Sequence, residues 1–332
     1  MTVVSNTSVG LRKAWHPVVA SSNVADRPER LVLLGEPYVL VRLAGKVVAF
    51  VDRCPHRNAR LSEGSVVDGC LQCPYHGWQF DDTGSCVLVP ALGPGATLPA
   101  SAAVAPVRVT ERYDFVWLAP DEPDLPILDV AEWHDPTLIR AWLPSLTIEV
   151  GAAQFIDNFL DFAHFPFVHA GTFGLGESPL IHEYQVQRRP DGFGLTIETE
   201  HTISNHEDPL VATGEHELVQ TRRMRYDYAA PFTALLRLEL PIANIVNSIL
   251  VFCTPVDEAT TTLHTVMLRN DCPTSESVQA AVDYELAILA EDLGVISKLP
   301  DRTLSLDLGA QVHTRVDRIT VEYRRILARL CT

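Results

Sequence analysis

The sequence has little positive charge. Its 26 lysines and arginines are outnumbered by 42 aspartates and glutamates, which gives a formal net charge of −16 at pH 7. Binding to phosphate backbones needs clustered Lys and Arg side chains, and no run of basic residues occurs along the chain. The sequence therefore predicts a protein without a nucleic-acid partner.

Long apolar runs are also missing. A membrane-spanning helix needs about 18 or more uninterrupted apolar residues, whereas Glu36, Arg42 and Lys46 interrupt the most hydrophobic stretch. The N-terminal residues Met-Thr-Val-Val-Ser-Asn-Thr-Ser contain no basic region followed by an apolar run, so no secretory signal is predicted. These features predict a protein that has no membrane partner and stays in the cytoplasm.

The sequence has no G-x-G-x-x-G fingerprint at a strand-to-helix junction, so it is not expected to take hydride from a nicotinamide dinucleotide itself. Its seven cysteines lack the even count and regular spacing of a disulfide framework. Cys54 and Cys73 stand close to histidines. The other five are interpreted as reduced thiols that mostly serve packing, namely Cys70, Cys86, Cys253, Cys272 and Cys331.

Two short segments each pair one cysteine with one histidine. They are Cys54-Pro-His56 and Cys73-Pro-Tyr-His76, with sixteen residues between His56 and Cys73. Zinc fingers usually place both cysteines in one segment and both histidines in the other. A mixed pair in each segment instead favours a [2Fe-2S] cluster with two thiolates on one iron and two imidazoles on the other, with structural zinc as the alternative.

The two segments resemble the ligand loops of Rieske proteins, because the signature C-x-H followed by C-x-x-H is matched at all four positions. Rieske proteins of respiratory complexes carry a further cysteine in each loop and join the two in a disulfide. Ala59 and Tyr75 occupy those places here. The loops are therefore similar to those of Rieske oxygenases and their ferredoxins, which work toward the low end of the roughly −150 to +300 mV Rieske range.

A Rieske ferredoxin needs only about a hundred residues, so the remaining length indicates a second function. Asn158, Asp161 and His164 follow one another at three-residue intervals, and a helix is predicted to bring them near one face. Pro166 is expected to end or kink that helix and let His169 return toward His164. Apolar residues surround these groups, so we expect a buried site. Two imidazoles and a carboxylate there form the facial triad of a non-haem iron(II) oxygenase, with a metal-free polar cluster as the alternative.

The pattern N-x-x-D-x-x-H-x-x-x-x-H resembles the mononuclear iron motif of Rieske non-haem iron oxygenase α subunits. The resemblance implies that His164 and His169 bind Fe(II). It also implies that Asp161 links the two centres by a hydrogen bond to His76 of a neighbouring subunit, within a head-to-tail homotrimer. Asn158 matches a position beside the iron, where it orients the site; capping of buried backbone is its alternative role.

The third iron ligand has no local signature. Family members place an aspartate on a late helix, and the helical stretch 275–297 offers several acids. The pair Glu291-Asp292 resembles the late E-D of related demethylases, so Asp292 is the predicted ligand. The other candidate ligands are Asp283, Glu285 and Glu291 on the same stretch, with Asp301 and Asp307 in reserve.

The distribution of apolar residues predicts an α+β protein with two domains. Short alternating runs and a hairpin turn at Gly45 predict an all-β Rieske [2Fe-2S] domain over residues 1–118. A connector rich in proline and acids is predicted over 119–145. Residues 146–332 are predicted to form the catalytic mononuclear non-haem iron domain. The expected fold is helix-grip-like, with an antiparallel sheet flanked by helices at 275–297 and 313–330.

The resemblance implies a terminal oxygenase that uses O2 and electrons from a separate ferredoxin or NAD(P)H reductase to hydroxylate or demethylate a small cyclic or aromatic substrate. Similarity at the C-terminus favours this branch over cis-dihydroxylation of a ring. A Rieske electron-transfer protein without oxygenase activity is the alternative of another class. Arg53, Arg57 and Arg60 are a predicted docking spot for an acidic ferredoxin, with ordinary surface ion pairs as the alternative.

Several residues are candidates for a substrate pocket, with packing in the core as their alternative role. Two polar candidates for orienting a ring substituent are Asn205 and His206. The apolar candidates are Phe155, Phe173, Phe232, Leu235, Ile245, Ile249 and Phe252.

Overall fold

The computed structural model describes residues 3–175 and 179–331. The chain forms two compact units. The smaller unit consists of Arg12–Pro126 with Thr254–Asp257, and the larger unit contains the rest of the chain. The domain limits predicted at residues 118 and 145 remain predictions.

The residues up to Leu11 belong to the larger unit, together with the C-terminal half of the chain. Strand β1 (Val3–Val4) pairs with β20 (Leu304–Ser305). The Asn6 side chain donates to the carbonyl of Thr260 at 2.9 Å and accepts from the amide of Ala152 at 2.8 Å. Hydrogen bonds across such long sequence separations explain why this segment groups apart from the residues that follow it.

The smaller unit is built on an antiparallel six-stranded sheet in the order β2-β11-β10-β5-β4-β3. The predicted hairpin at Gly45 is confirmed: Ala44 and Gly45 have φ values of 50° and 83°, and the two-residue turn joins β4 to β5. The strands are β2 (His16–Ala20), β3 (Glu29–Leu33), β4 (Glu36–Leu43), β5 (Lys46–Val51), β10 (Pro106–Arg112) and β11 (Phe115–Ala119).

A second sheet of this unit has four short strands in sequence order. It packs with the first through a buried cluster that contains Phe50, Leu71 and Phe80, and both Cys54 and Cys73 belong to the same cluster. The two cysteines are therefore anchored in the core of the unit. The strands are β6 (Ser65–Val67), β7 (Cys70–Gln72), β8 (Gln79–Phe80) and β9 (Cys86–Leu88).

The larger unit is built on an antiparallel eight-stranded sheet in the order β12-β19-β18-β17-β16-β15-β14, with β13 also paired to β19. Side chains alternate between buried and exposed along β16, as a sheet with one covered face requires. The strands are β12 (Ile139–Trp142), β13 (Leu146–Ile148), β14 (Val186–Arg188), β15 (Gly194–Ser204), β16 (Val219–Ala229), β17 (Thr233–Leu240), β18 (Ile245–Pro255) and β19 (Thr261–Arg269).

Within the described residues, the larger unit also contains five α-helices. The long helix at residue 275 begins with a capping box, in which the Thr274 hydroxyl accepts from the amide of Ser277 at 3.1 Å. No helix within the described residues is long and apolar enough to cross a membrane. The helices are α1 (Ala152–Leu160), α2 (Phe165–Val168), α3 (Pro209–Thr213), α4 (Ser275–Ile296) and α5 (Arg318–Cys331).

The prediction that one helix runs through His164 is wrong. Helix α1 ends at Leu160, and Asp161 has extended φ and ψ values of −81° and 130°. The Asp161 carboxylate accepts from the amide of Ala163 at 2.8 Å, a local bond that competes with helix continuation. Pro166 lies in the first turn of α2, so it starts a new helix and does not end an old one.

Candidate active site

Two loops of the smaller unit present the four predicted cluster ligands, and both loops are closed in the same way. Each cysteine amide donates to the carbonyl five residues later, at 2.8 Å. Each cysteine carbonyl accepts from the amide four residues later, that of Asn58 at 2.9 Å and that of Gly77 at 3.1 Å. Both of these residues have positive φ, 57° and 70°, which lets each chain reverse tightly. The repeated geometry holds Cys54 and Cys73 in equivalent positions.

The loops divide their ligands by exposure. Cys54 and Cys73 are 1% and 2% exposed, whereas His56 and His76 are exposed with ring centroids 4.6 Å apart. Trp78 stacks on His56 at 4.7 Å with an interplanar angle of 6°. Two inner thiols facing two outer imidazoles fit the donor set of a Rieske cluster, which has sulfur ligands on one iron and nitrogen ligands on the other.

The ionisation of these groups is consistent with a metal-dependent site. Burial raises the pKa of the Cys54 thiol to about 11, with a smaller contribution from the adjacent Cys73 thiol. Desolvation and the neighbouring His76 lower the pKa of His56, so this imidazole stays neutral near pH 7, as a metal ligand must. Thiols with raised pKa values become thiolates when a metal coordinates them.

In the larger unit, His164, His169 and Asp292 converge on one point. The two histidine Nε2 atoms are 3.3 Å apart, and Asp292 Oδ1 lies 3.2 Å from the first and 3.5 Å from the second. The loop between α1 and α2 supplies His164, the end of α2 supplies His169, and α4 supplies Asp292. One ligand atom from each residue lies within 4.8 Å of the other two, a group able to hold a metal ion.

Two further acids fix the orientation of these imidazoles. His164 Nδ1 lies 3.3 Å from Asp161 Oδ2, and His169 Nδ1 lies 2.9 Å from Glu291 Oε2. The Thr172 hydroxyl donates to the same Glu291 oxygen at 2.9 Å. Because each Nδ1 is turned toward a carboxylate, each Nε2 faces the convergence point, which is the usual arrangement around metal-binding histidines.

The charge distribution at this point suits a divalent cation. Asp292 Oδ1 is buried and has no hydrogen-bond partner, a costly state for a carboxylate oxygen. Burial lowers the pKa of His164, but the nearby carboxylates of Asp161 and Asp292 outweigh it and raise the pKa to about 9. Burial lowers the pKa of His169. Unsatisfied anionic oxygen beside two imidazole nitrogens matches the facial triad that binds non-haem iron(II).

The other predicted site residues lie nearby or elsewhere. Asn158 is half-buried, lines the cavity beside the triad, and accepts the amide of Asp161 through its carbonyl at 3.1 Å. The reserve ligand Asp307 caps a short 3-10 helix, with its carboxylate accepting from the amide of Gly309 at 2.9 Å. Asp301 is exposed and is not part of the triad group.

A cavity opens beside the triad, with about 880 Å³ of empty space including its mouth. Of the predicted pocket residues, Phe155, Phe173, Ile249 and Asn205 line it. The remaining candidates do not; Phe232, Leu235, Ile245 and Phe252 are buried in the core. The alternating pattern along a strand predicts which side chains are buried. It does not show whether a buried side chain lines a cavity or packs in the core, so the sequence could not separate the two groups. His206 is also absent from the lining. Polar lining residues missed in the sequence are Ser204, Glu207, Arg222, Tyr226, Asn247, Thr265 and Tyr284.

The arginines near the first cluster loop differ in their pairing. Arg60 forms an exposed ion pair with Glu63 at 3.2 Å, so the alternative interpretation holds for that residue. The nearby Asp52 carboxylate accepts from the Ser62 hydroxyl at 2.7 Å and lies 3.6 Å from Arg30. In the part of the chain that the structure describes, Arg53 and Arg57 form no ion pair within 4.0 Å.

Sequence comparison gives two family matches. The profile of the Rieske [2Fe-2S] domain matches residues 14–107. The profile of the vanillate O-demethylase oxygenase C-terminal domain matches residues 148–332, which is more than half of the chain. The two matches cover the cluster loops and the triad.

One curated relative and one solved structure match nearly the whole chain, and a second relative matches about half of it. Methylxanthine N1-demethylase NdmA of Pseudomonas putida is 28% identical over 341 residues, covering 99% of this chain and 91% of the relative. The oxygenase component of dicamba O-demethylase from Stenotrophomonas maltophilia is 37% identical over 164 residues, 48% of each chain. The solved structure of NdmA with caffeine superposes with a TM-score of 0.80 over 96% of this chain and 91% of that chain, at 28% identity. These likenesses confirm the predicted α+β fold.

Proposed function

Because the chain belongs to the family of Rieske non-haem iron oxygenase α subunits, we propose that it hydroxylates or demethylates a small cyclic substrate at an iron held by His164, His169 and Asp292. Membership makes it an oxidoreductase with a Rieske [2Fe-2S] domain and an oxygenase domain. Its relatives include an N-demethylase and an O-demethylase by name. Removal of a methyl group from nitrogen or oxygen is therefore the favoured reaction within this class.

The observation that carries the proposal is the buried convergence of the triad. Three ligand atoms meet within 3.2 to 3.5 Å, and the carboxylate oxygen among them has no hydrogen-bond partner. The triad also borders a largely apolar cavity, whose lining includes Phe155, Phe159 and Ile249. A metal site next to an apolar cavity is the arrangement that an oxygenase of small ring compounds needs.

Each protein group has a definite role in this proposal. Cys54, His56, Cys73 and His76 would hold the Rieske cluster, and an iron(II) bound to the triad supplies oxygen-activating chemistry. Asp161 and Glu291 hold the Nδ1 sides of the two triad histidines, so that both Nε2 atoms face the metal position. Asn158 borders the cavity and orients groups within it. The apolar walls exclude water from the reacting region.

Electrons would reach the iron through contact between copies of the chain. The Asp161 side chain is 35% exposed although it contacts His164, so part of its carboxylate is open to another donor. We assign that donor to His76 of a second copy in a head-to-tail homotrimer, the arrangement implied by the family resemblance. Asp161 would then bridge a cluster ligand of one copy and an iron ligand of the next.

A separate ferredoxin or NAD(P)H-dependent reductase would supply the electrons. Arg53 and Arg57 are exposed near the first cluster loop and form no ion pair among the described residues. An acidic electron carrier would dock there, since unpaired exposed cations attract it at long range. Arg60 contributes less because Glu63 already neutralises it.

The proposal is tested by metal analysis of anaerobically purified protein. We expect about three iron and two sulfide per chain in the wild type, and about one iron fewer in His164→Ala and in Asp292→Ala, since each variant removes one triad ligand. The EPR signal of the reduced cluster should persist in both variants because the cluster loops are untouched.

The control is Asp301→Ala, which removes an exposed acid outside the triad. It should keep the full iron content. Two iron per chain in every sample, with no uptake of added Fe(II), would instead make the chain an electron-transfer protein without oxygenase activity.

A further inference from the structure

The cavity beside the triad contains a buried positive charge. Arg222 is 6% exposed and lies on the inward face of β16, where buried and exposed residues alternate. It lines the cavity together with Phe165 and Phe173. Burying a guanidinium group costs free energy unless its charge and its N–H donors are matched by other groups.

The protein matches this charge only in part. The Arg222 guanidinium carbon lies 4.5 Å from the ring centroid of Phe173 and 5.7 Å from that of Phe165, so aromatic faces attract the cation. Its Nη2 donates to the sulfur of Met224 at 3.8 Å, a weak acceptor. Its Nε is buried and has no hydrogen-bond partner. Within residues 3–175 and 179–331, Arg222 forms no ion pair.

Among the described residues, the acids that line the same cavity form no ion pair with Arg222. Glu207 forms an ion pair with Arg269 at 2.9 Å. Burial raises the pKa of Glu285 to about 7, helped by the charge of Glu207, so its carboxyl is only partly ionised at neutral pH. Asp292 belongs to the metal triad. The cavity therefore keeps one guanidinium without an anionic partner.

A second buried donor lies next to Arg222. His201 faces Arg222 across the β15–β16 pairing and is 5% exposed. Neither of its ring nitrogens has a hydrogen-bond partner. Desolvation and the charge of Arg222 lower its pKa to about 4, so the ring is neutral and carries one N–H group. Of these two residues only Arg222 lines the cavity. An unmatched guanidinium at a cavity wall favours an anionic ligand over a cation or a neutral ring.

We propose that Arg222 is the specificity-determining residue of the substrate cavity and that the substrate is a small cyclic compound carrying a carboxylate. This inference rests on the proposed function, because it takes the cavity as the substrate site. A carboxylate accepts parallel N–H bonds from a guanidinium and supplies the missing negative charge. The flanking rings of Phe165 and Phe173 offer apolar contact to the ring of the same molecule.

The test compares two probes of nearly equal shape, benzoate and benzamide, by isothermal titration calorimetry against the purified holoenzyme. We expect the wild type to bind benzoate about tenfold or more tightly, since charge-assisted hydrogen bonds are roughly twice as strong as neutral ones. Arg222→Gln should remove this preference, while Arg222→Lys should keep part of it because the positive charge remains.

The matched control is Arg223→Gln, which removes the same charge from the next residue of the same strand. Arg223 points outward, with a side chain 62% exposed and paired with Glu200 at 3.3 Å. This variant should retain the preference for benzoate. Circular dichroism and thermal unfolding check that each variant folds. If Arg222→Gln does not fold, the inference is tested by the preference for benzoate over benzamide in the wild type and in Arg222→Lys.

Equal affinity of the wild type for both probes would overturn the inference, and so would an equal loss in the Arg222 and Arg223 variants. Neither result would touch the proposed function, because binding is measured without turnover. The proposed function fails separately, by metal analysis, if the triad holds no iron.

Discussion

Glu291 shows how one residue acts on the metal site without being a ligand. Its Oε2 lies 2.9 Å from His169 Nδ1 and also accepts the Thr172 hydroxyl at 2.9 Å. The carboxylate therefore fixes both the tautomer and the ring orientation of His169, whose side chain is 1% exposed. Because the ring of His169 is already held in place, its Nε2 can donate a lone pair to a metal without further loss of side-chain rotational entropy.

We therefore expect Glu291→Ala to weaken iron(II) binding by about 10- to 100-fold, the usual effect of losing such a partner. Glu291→Gln should recover most of the affinity, because its amide oxygen still accepts the Nδ1 proton. The measurement is a competitive Fe(II) titration of the iron-depleted protein.

Glu276→Gln is the matched control, since Glu276 is an exposed acid in the first turn of the same helix. An alanine variant of Glu291 that binds iron(II) like the wild type would show that His169 needs no such support.

Site residues that belong to one short sequence motif could be predicted from the sequence. His164 and His169 lie in one short pattern, so their convergence could be predicted. Glu291 was weighed only as a ligand, because neighbouring helix residues differ by about 100° in direction and the sequence does not say which one faces a site. Arg222 was missed because a strand pattern marks it as inward-facing without showing whether a cavity or a packed core lies there.

Among the elements, α5 supports the helix that leads into the triad. Arg324 forms two hydrogen bonds with the carboxylate of Asp157 on α1, at 3.1 and 2.7 Å, and both side chains are largely buried. The Tyr323 hydroxyl donates to the carbonyl of Ala153 at 2.9 Å. The C-terminal helix thereby fixes α1, whose last turn carries Asn158.

Arg324→Met is expected to lower the free energy of unfolding by about 3 kcal/mol, because it leaves the buried Asp157 carboxylate unpaired. Urea unfolding followed by circular dichroism measures the change. The adjacent Arg325→Met should cost less than about 1 kcal/mol, since its pair with Glu322 is exposed on the arginine side. Equal losses in the two variants would contradict a specific role for the Arg324–Asp157 pair.

At this scale the sequence predicted the strands better than the turn between α1 and α2. Alternating apolar residues marked the sheet of the larger unit, and the two C-terminal helices were also predicted. The prediction of a helix through His164 was wrong for two reasons. The Asp161 side chain accepts a hydrogen bond from the amide of Ala163, and Pro166 lies at the start of a new helix. The spacing of apolar residues along the sequence does not show where such local features end one helix and begin the next.

The two sets of proposed ligands lie in separate compact units, with the cluster loops in one and the triad in the other. If electrons cross between copies of the chain, as proposed through Asp161, a defect in one unit is repaired by an intact unit of a neighbour. A head-to-tail ring gives every triad one neighbouring cluster.

We expect co-expressed Cys73→Ser and His164→Ala chains to regain activity although each variant is inactive alone. In a head-to-tail ring of three that contains both variants, one site in three combines an intact triad with an intact neighbouring cluster, so mixed rings should show about a third of the wild-type rate. Oxygen consumption with a ring compound that the wild type turns over is the measurement, on oligomers isolated through two different tags.

Co-expression of His164→Ala with the double variant Cys73→Ser/His164→Ala is the control, since no triad in that mixture is intact. It should stay inactive. Mixed Cys73→Ser and His164→Ala oligomers that also stay inactive, with each remaining centre shown to be occupied, would place electron transfer within a single chain.

The two-part organisation and the oxygenase class could be predicted because both sets of ligands have specific spacings. No local motif of comparable specificity marks assembly, so the homotrimer stays a prediction that the family resemblance implies. The grouping of the residues up to Leu11 with the larger unit was also not predicted, because it depends on long-range bonds such as that of Asn6 with Thr260.

Strand β16 has one further consequence, for mutational change. Its inward residues Gln220, Arg222, Met224 and Tyr226 alternate with outward arginines at 223 and 225, which pair with acids on the opposite side of the sheet. Because Arg222 and Tyr226 line the cavity, substitutions at these two inward positions are expected to alter what the cavity accepts while the outer ion pairs stay intact. The strand can be diversified for new substrates in small libraries restricted to these positions, and an insertion of one residue would exchange the two faces and abolish the site.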